Sequence, residues 1–255
     1  MTEDTADTDR PPRFLSAGDT ALVVEFGETV DPALNRRVMR LGEAARRAGV
    51  AGVVDLVPTF RSLMVHYDPT ATTRHALEET LRGLLGEAGT ASAAGRVWEF
   101  PTLYGGEAGP DLEDVAKRTG LTPERVVELH AGTEYEAYMM GFMPGLAYLG
   151  IIPPELELPR RSEPRVRVPS GSVAIATNLT NVYSLESPGG WHLLGRTPVA
   201  LFDLHRDPPV LLQAGDKVRF KPVDRAAYDD LKRRVDAGDT GFAPIQGPVQ
   251  GEAGR

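Results

Sequence analysis

The chain has 255 residues, with 28 Lys and Arg against 36 Asp and Glu, a formal net charge of −8, 41% hydrophobic residues and no cysteine. That length and apolar content support one large or two modest packed domains and exclude disorder as the main state. The absence of thiols excludes disulfides, a cysteine nucleophile, iron–sulfur clusters and cysteine-bound zinc.

Residues 1–12 are charged, rich in Thr and end on Pro11-Pro12, the composition of a tail that buries too little to offset its ordering entropy. Their acidity is the reverse of a secretory signal, and no apolar run approaches the roughly 20 residues that span a bilayer, so a cytoplasmic protein without membrane attachment is expected. Residues 14–26 predict a hairpin turning at Ala17-Gly18-Asp19-Thr20. Asp31-Pro32 supplies a cap and a first-turn proline to a helix over 32–48, in which Leu34, Val38, Leu41 and Ala45 recur at helical spacing before Gly49. Strands are predicted over 53–57 and 63–67, then a second helix capped by Thr72 or Thr73 and running through Leu77, Leu81 and Leu84. The order β, β, α, β, β, α describes an α+β domain over 13–86, its helices covering one face of an antiparallel sheet.

Residues 86–95 are small or polar and read as an interdomain linker. In a second domain over 95–237, a strand is predicted over 97–103 and helix over 111–131. Short apolar runs punctuated by Gly and Pro follow, the pattern of a β-barrel or sandwich. Its clearest strands are expected at 166–168, 172–176, 199–202 and 217–220, with a closing helix over 223–236 and a Gly/Pro-rich tail over 238–255.

Residues 112–130 have the outline of a helix-turn-helix, with a turn at Gly120, a cap at Thr122 and Pro123 after it. Five acids against three bases over 111–130 deny it the cationic surface that phosphate contact needs, so a helical hairpin packed on the barrel is expected and no nucleic acid. Phosphate-loop, dinucleotide, nucleophile-elbow and zinc-protease signatures are missing, and His66, His75, His130, His192 and His205 form no local ligand pair, so no metal site is predicted. Charge turns positive over 160–222, where nine Lys and Arg meet five acids, which marks either an anionic ligand or a solvated mixed face.

Three clusters are dense in chemistry. Tyr104-Gly105-Gly106-Glu107 combines an aromatic hydroxyl with glycines that permit close backbone approach. Residues 139–149 place Phe142, Pro144 and Gly145 in an apolar turn that reads either as a pocket wall or as core. The third cluster gathers Arg165, Arg167, Glu186, Gly189, Gly190, Trp191, His192 and Arg196. Its arginines offer forks for carboxylate or phosphate, Gly189-Gly190 could present an amide nest to an anion, and His192 is the candidate for proton transfer. The alternative is a tight hairpin with Trp191 in the core and His192 satisfied by the backbone.

Taken in order, Gly18-Asp19-Thr20-Ala21-Leu22, Pro58-Thr59-Phe60-Arg61-Ser62-Leu63, Val65-His66-Tyr67-Asp68-Pro69, Tyr104-Gly105-Gly106-Glu107, Gly141-Phe142-Met143-Pro144-Gly145, Arg167-Val168-Pro169 and Glu186-Ser187-Pro188-Gly189-Gly190-Trp191 resemble the family that comprises the B-type subunit of 5-oxoprolinase, allophanate hydrolase subunit 1 and the kinase inhibitor KipI. The resemblance covers residues 13–236 and implies a small N-terminal α/β sandwich domain followed by a C-terminal cyclophilin-like β-barrel. It implies a homologous second subunit as partner, a third lactam-specific subunit, and ATP with magnesium bound by the complex, with no cofactor for the isolated chain. The implied reaction opens 5-oxo-L-proline to L-glutamate, and the chain alone is expected to be inactive. Within that reading His192 and Arg196 are the expected catalytic residues. Tyr104, Gly106, Phe142, Pro144, Gly145, Arg165, Arg167, Glu186, Gly189, Gly190 and Trp191 are the expected substrate-binding set. The same family also accommodates an inhibitor of a sensor histidine kinase and a carboxyltransferase-like component of a urea pathway. Residues 176–184 and Ala108 depart from the family pattern, which bears on substrate identity if that stretch is a loop lining the ligand site.

Overall fold

The computed structural model describes residues 10–87, 95–238 and 242–245. The expected linker lies largely outside the described residues, as do positions 1–9, 239–241 and 246–255 of the two expected tails. Contacts within the chain define two units, Met1–Ala93 and Ala94–Arg255.

The first unit comprises β1 (Arg13–Ser16), β2 (Ala21–Glu25), α1 (Pro32–Ala48), β3 (Val53–Pro58), β4 (Ser62–Tyr67) and α2 (Arg74–Glu87). Asp31 begins α1 by accepting the Ala33 and Leu34 amides at 2.6 and 3.2 Å, and Gly49 ends it in the left-handed conformation that only glycine adopts without cost. The Thr73 hydroxyl accepts the Ala76 amide at 3.2 Å at the start of α2. The strands form one antiparallel sheet in the order β1-β2-β4-β3. Leu22, Val24, Leu63 and Val65 point to one side of it and pack with Leu34, Val38 and Leu41 of α1 and with Leu77 and Leu81 of α2. Alternation in the strands and a 3.6-residue stripe on the helices thus bury the same core.

The second unit contains β5 (Val97–Tyr104), α3 (Leu112–Thr119), α4 (Pro123–Ala131), β6 (Glu134–Met140), β7 (Ala147–Gly150), β8 (Arg165–Val168), β9 (Ser172–Ala176), β10 (Leu179–Val182), β11 (Ser187–Gly189), β12 (His192–Arg196), β13 (Lys217–Pro222) and α5 (Arg225–Asp236). Seven of these strands close a barrel in the order β10-β7-β6-β13-β5-β12-β9, and β8 pairs with β11 as a separate ribbon. Only the β13 to β5 pairing within the barrel is parallel, and a buried knot sits at its start. There Arg96 Nε donates to Asp216 Oδ1 at 2.9 Å, and its Nη2 pairs with Oδ2, which also accepts Trp98 Nε1 at 3.1 Å and the Gln213 amide at 2.9 Å.

The helical segment resolves into α3 and α4, separated at Gly120 (φ 73°), and it packs through Leu112, Val115, Ala116 and Val126 on the barrel core. The stretch expected as a strand over 199–202 is instead irregular. Val199 and Leu201 are buried, but Phe202 makes only an isolated bridge to Val210, so burial rather than strand pairing explains its apolar character. Residues 176–184 are not an open loop. Thr177 (φ 55°) and Asn178 turn β9 into β10, Leu179 pairs back on Ala176, and the altered positions therefore belong mainly to a barrel strand. No helix among the described residues is long and apolar enough to cross a membrane.

Candidate functional site

The polar residues of the barrel unit sort into an interior network and a cationic edge. In the interior, Thr180 donates to the Ala174 carbonyl at 3.0 Å, which leaves its oxygen to accept His130 Nε2–H at 2.9 Å. That tautomer makes His130 Nδ1 an acceptor for the Tyr104 hydroxyl at 2.8 Å. Burial without an opposing charge lowers the His130 pKa to about 3, and burial raises that of Tyr104. Every member is neutral and paired, so the Tyr104 hydroxyl is committed inside the barrel.

The edge is built at the start of β12. Asp111 directly precedes α3 but its side chain makes no capping bond to that helix. Its Oδ2 instead accepts the Leu193 amide at 2.7 Å, while Oδ1 accepts Arg165 Nη2 at 2.6 Å and Arg161 Nη1 at 3.1 Å. The Arg161 amide donates to the Gly190 carbonyl at 2.8 Å, and Gly189 pairs with Arg165 across the β8 to β11 ribbon. Trp191 lies buried beside Tyr148, with the Arg160 guanidinium 5.9 Å from its ring centre. Burial raises the pKa of the Tyr183 hydroxyl, with the neighbouring Trp191 main chain acting against that shift.

Next to this edge, His192 is fully buried. Its Nε2–H donates to the Pro159 carbonyl at 2.9 Å, Arg118 Nη1 stands 3.4 Å from the same nitrogen, and Nδ1 meets no protein donor. The carbonyl fixes the tautomer, so the ring proton is held by the main chain while Nδ1 stays unpaired. Gly189 and Gly190 lack the positive φ of a nest. What requires glycine at 189 is contact, because a Cβ there would sit 2.2 Å from the Tyr183 hydroxyl. Left-handed glycines occur instead at Gly105 and Gly106, where φ is 71° and 53°.

The structure therefore brings Arg165, Gly189, Gly190, Trp191 and His192 together. It separates the others. Arg196 lies at the far end of β12, about 13 Å along the strand at ~3.3 Å per residue. Arg167 and Glu186 form an exposed ion pair at 2.7 Å. Phe142, Pro144 and Gly145 form the turn between β6 and β7, where Phe142 is exposed with φ 69° and the Pro144 carbonyl accepts the Ser184 hydroxyl at 2.6 Å. Sequence reasoning missed Asp111 and Arg161. Asp111 reads locally as a helix cap, and its partners lie 50, 54 and 82 residues away, beyond any local signal.

Residues 12–212 match the family model described as carboxyltransferase domain, subdomain C and D. The 5-oxoprolinase B-type subunit of Bacillus subtilis is 38% identical over 229 residues, covering 84% of this chain and 94% of that protein. The crystal structure of TTHA0988 aligns with a TM-score of 0.73 at 43% identity over 80% of this chain, which spans only 40% of that longer chain. The K. lactis urea amidolyase aligns with a TM-score of 0.73 over 91% of this chain and 16% of that one, and at 20% identity this likeness concerns the fold alone. On the family match and the near full-length likeness to the Bacillus 5-oxoprolinase component, the chain belongs to the carboxyltransferase-domain family of subdomains C and D.

Proposed function

We propose that the chain is a subunit of an ATP-dependent 5-oxoprolinase complex, working with a homologous second subunit and a lactam-specific third to convert 5-oxo-L-proline to L-glutamate. The observation that carries this reading is the near full-length likeness to the 5-oxoprolinase component of Bacillus subtilis. An unstrained lactam is a poor electrophile, and phosphoryl transfer from ATP supplies the activation that water attack needs. Among the described residues, no group of three or more His, Asp or Glu is placed to hold a metal ion. Arg160, Arg161 and Arg165 outnumber Asp111 at the cationic edge, a balance that suits an anionic substrate group, and no nucleotide step is assigned to this chain.

Its own residues bind and orient. Arg165 holds the substrate carboxylate, Trp191 and the Gly189-Gly190 main chain shape the wall beside it, and His192 keeps the Pro159 carbonyl and the Arg160-Arg161 segment in place. Arg167, Arg196, Glu186 and the Phe142 turn act, in this reading, at the surface where other subunits complete the site, and Tyr104 and Gly106 support β12 from beneath.

The test is ATP hydrolysis and glutamate release by the co-expressed subunits with and without 5-oxoproline. Turnover that depends on 5-oxoproline and on this chain is expected. A verified, stable complex that hydrolyses ATP equally without the lactam would overturn the assignment.

A further inference from the structure

Arg161 and Arg165 both stay protonated in proteins, so with Asp111 they form a triad of net charge plus one. Arg161 Nε and Arg165 Nη1 are buried and meet no acceptor. Buried polar groups are nearly always paired, and one left alone is costly. Asp111 makes no bond to either of them: its Oδ1 accepts the other nitrogens of the two guanidiniums and its Oδ2 the Leu193 amide. The neighbouring Trp191 indole offers no acceptor either. The edge is therefore rich in donors, and its two arginine side chains keep 29% and 24% of their surface open to an incoming group.

A matching ligand group is an acceptor with one negative charge and oxygens spaced to meet planar N–H forks, which describes a carboxylate. We propose that Arg161 and Arg165, positioned by Asp111, form a receptor for one carboxylate, that of the lactam substrate, while the nucleotide's phosphates are held elsewhere in the complex. This rests on the oxoprolinase reading above. It adds Arg161 as a binding residue, Asp111 as a positioning residue, and the charge of the ligand as the feature selected.

The experiment compares 5-oxo-L-proline with 2-pyrrolidinone, the same lactam without its carboxylate, on the assembled complex carrying wild-type, Arg161→Lys or Arg165→Lys chains. Lysine keeps the charge but loses the planar fork. Each variant is expected to weaken 5-oxoproline binding about tenfold or more while leaving inhibition by 2-pyrrolidinone unchanged. Unaltered affinity for 5-oxoproline in both variants, or an equal loss for both lactams, would overturn the receptor and return the arginines to a folding role. If the wild-type complex does not act on 5-oxoproline at all, the functional reading fails by itself. The receptor is then tested with acetate and inorganic phosphate, following the Arg161 Nε–H resonance. Acetate should shift it in the wild type and not in Arg165→Lys, and a response to phosphate alone or to neither ion would sink the proposal.

Discussion

At the scale of single residues, two carboxylates do similar work at different depths. Asp216 is fully buried and holds Arg96, Trp98 and the Gln213 amide at once, whereas Asp111 holds two arginines that keep about a quarter of their surface in solvent. Removing one partner of a buried pair strands the other, at a cost of about 3–5 kcal/mol. Asp216→Ala should therefore destabilise the protein by about that much, and Asp111→Ala by roughly half, because Arg161 and Arg165 can turn their charge to water. Denaturant titration of both variants measures the ranking, and an Asp111→Ala loss at least as large as that of Asp216→Ala would contradict it.

Among the elements, the ribbon of β8 and β11 depends on how closely Gly189 approaches Tyr183. A Cβ at 189 would lie 2.2 Å from the hydroxyl oxygen and 2.8 Å from the ring carbon bearing it, so Gly189→Ala must displace the Tyr183 ring. Overpacking of this kind costs about 1–3 kcal/mol. Tyr183→Phe removes the nearest atom, so the double variant should be more stable than the sum of the single losses, a coupling that a double-mutant cycle reads directly. Additive losses would show that the contact is not what demands glycine. On the sheet unit, Asp31→Ala removes the cap of α1 and should cost about 1 kcal/mol by the same denaturant measurement.

These two elements also show which parts of the fold the sequence discloses. The Asp31 cap, the left-handed Gly49 and the apolar stripe from Leu34 to Ala45 act within a few residues of one another, so α1 is legible over its full length. The barrel strands β10 and β12 are not, because Thr180, Asn181, His192 and Gly195 break the apolar alternation. Thr180 is polar because it answers His130 inside the barrel. Gly195 is glycine because a Cβ would sit 2.6 Å from the Leu103 carbonyl oxygen. The third sequence cluster contains half of the cationic edge, Arg165 to His192. Its organising residue, Asp111, arrives from another element and leaves no local trace.

For the molecule as a whole, the interior network dictates how stability responds to acid. His130 is neutral in the fold with its pKa lowered from 6.5 to about 3, so the unfolded chain takes up its proton first as pH falls. Its contribution is complete above the unfolded value and is lost progressively between about 6.5 and 3. Glu25, Glu134 and Asp68 are also held below their ordinary values, the first two chiefly by side-chain bonds to Arg13 and Lys217 and the third by Thr70. Their contributions persist above the unfolded carboxylate values near 4.5 and 3.8 and fade only below them. The pH interval from 6.5 to 4.5 therefore separates the histidine from these carboxylates. Over it the wild-type protein should lose up to about 1 kcal/mol per pH unit through His130. His130→Gln retains a donor and an acceptor but binds no proton there, so its stability curve should be flatter across the interval and steepen only below it. Urea unfolding at half-unit steps of pH reads both slopes. Equal slopes in the two proteins would mean that His130 opens to water before the barrel unfolds, and the closed Tyr104–His130–Thr180 chain would no longer describe the barrel interior in acid.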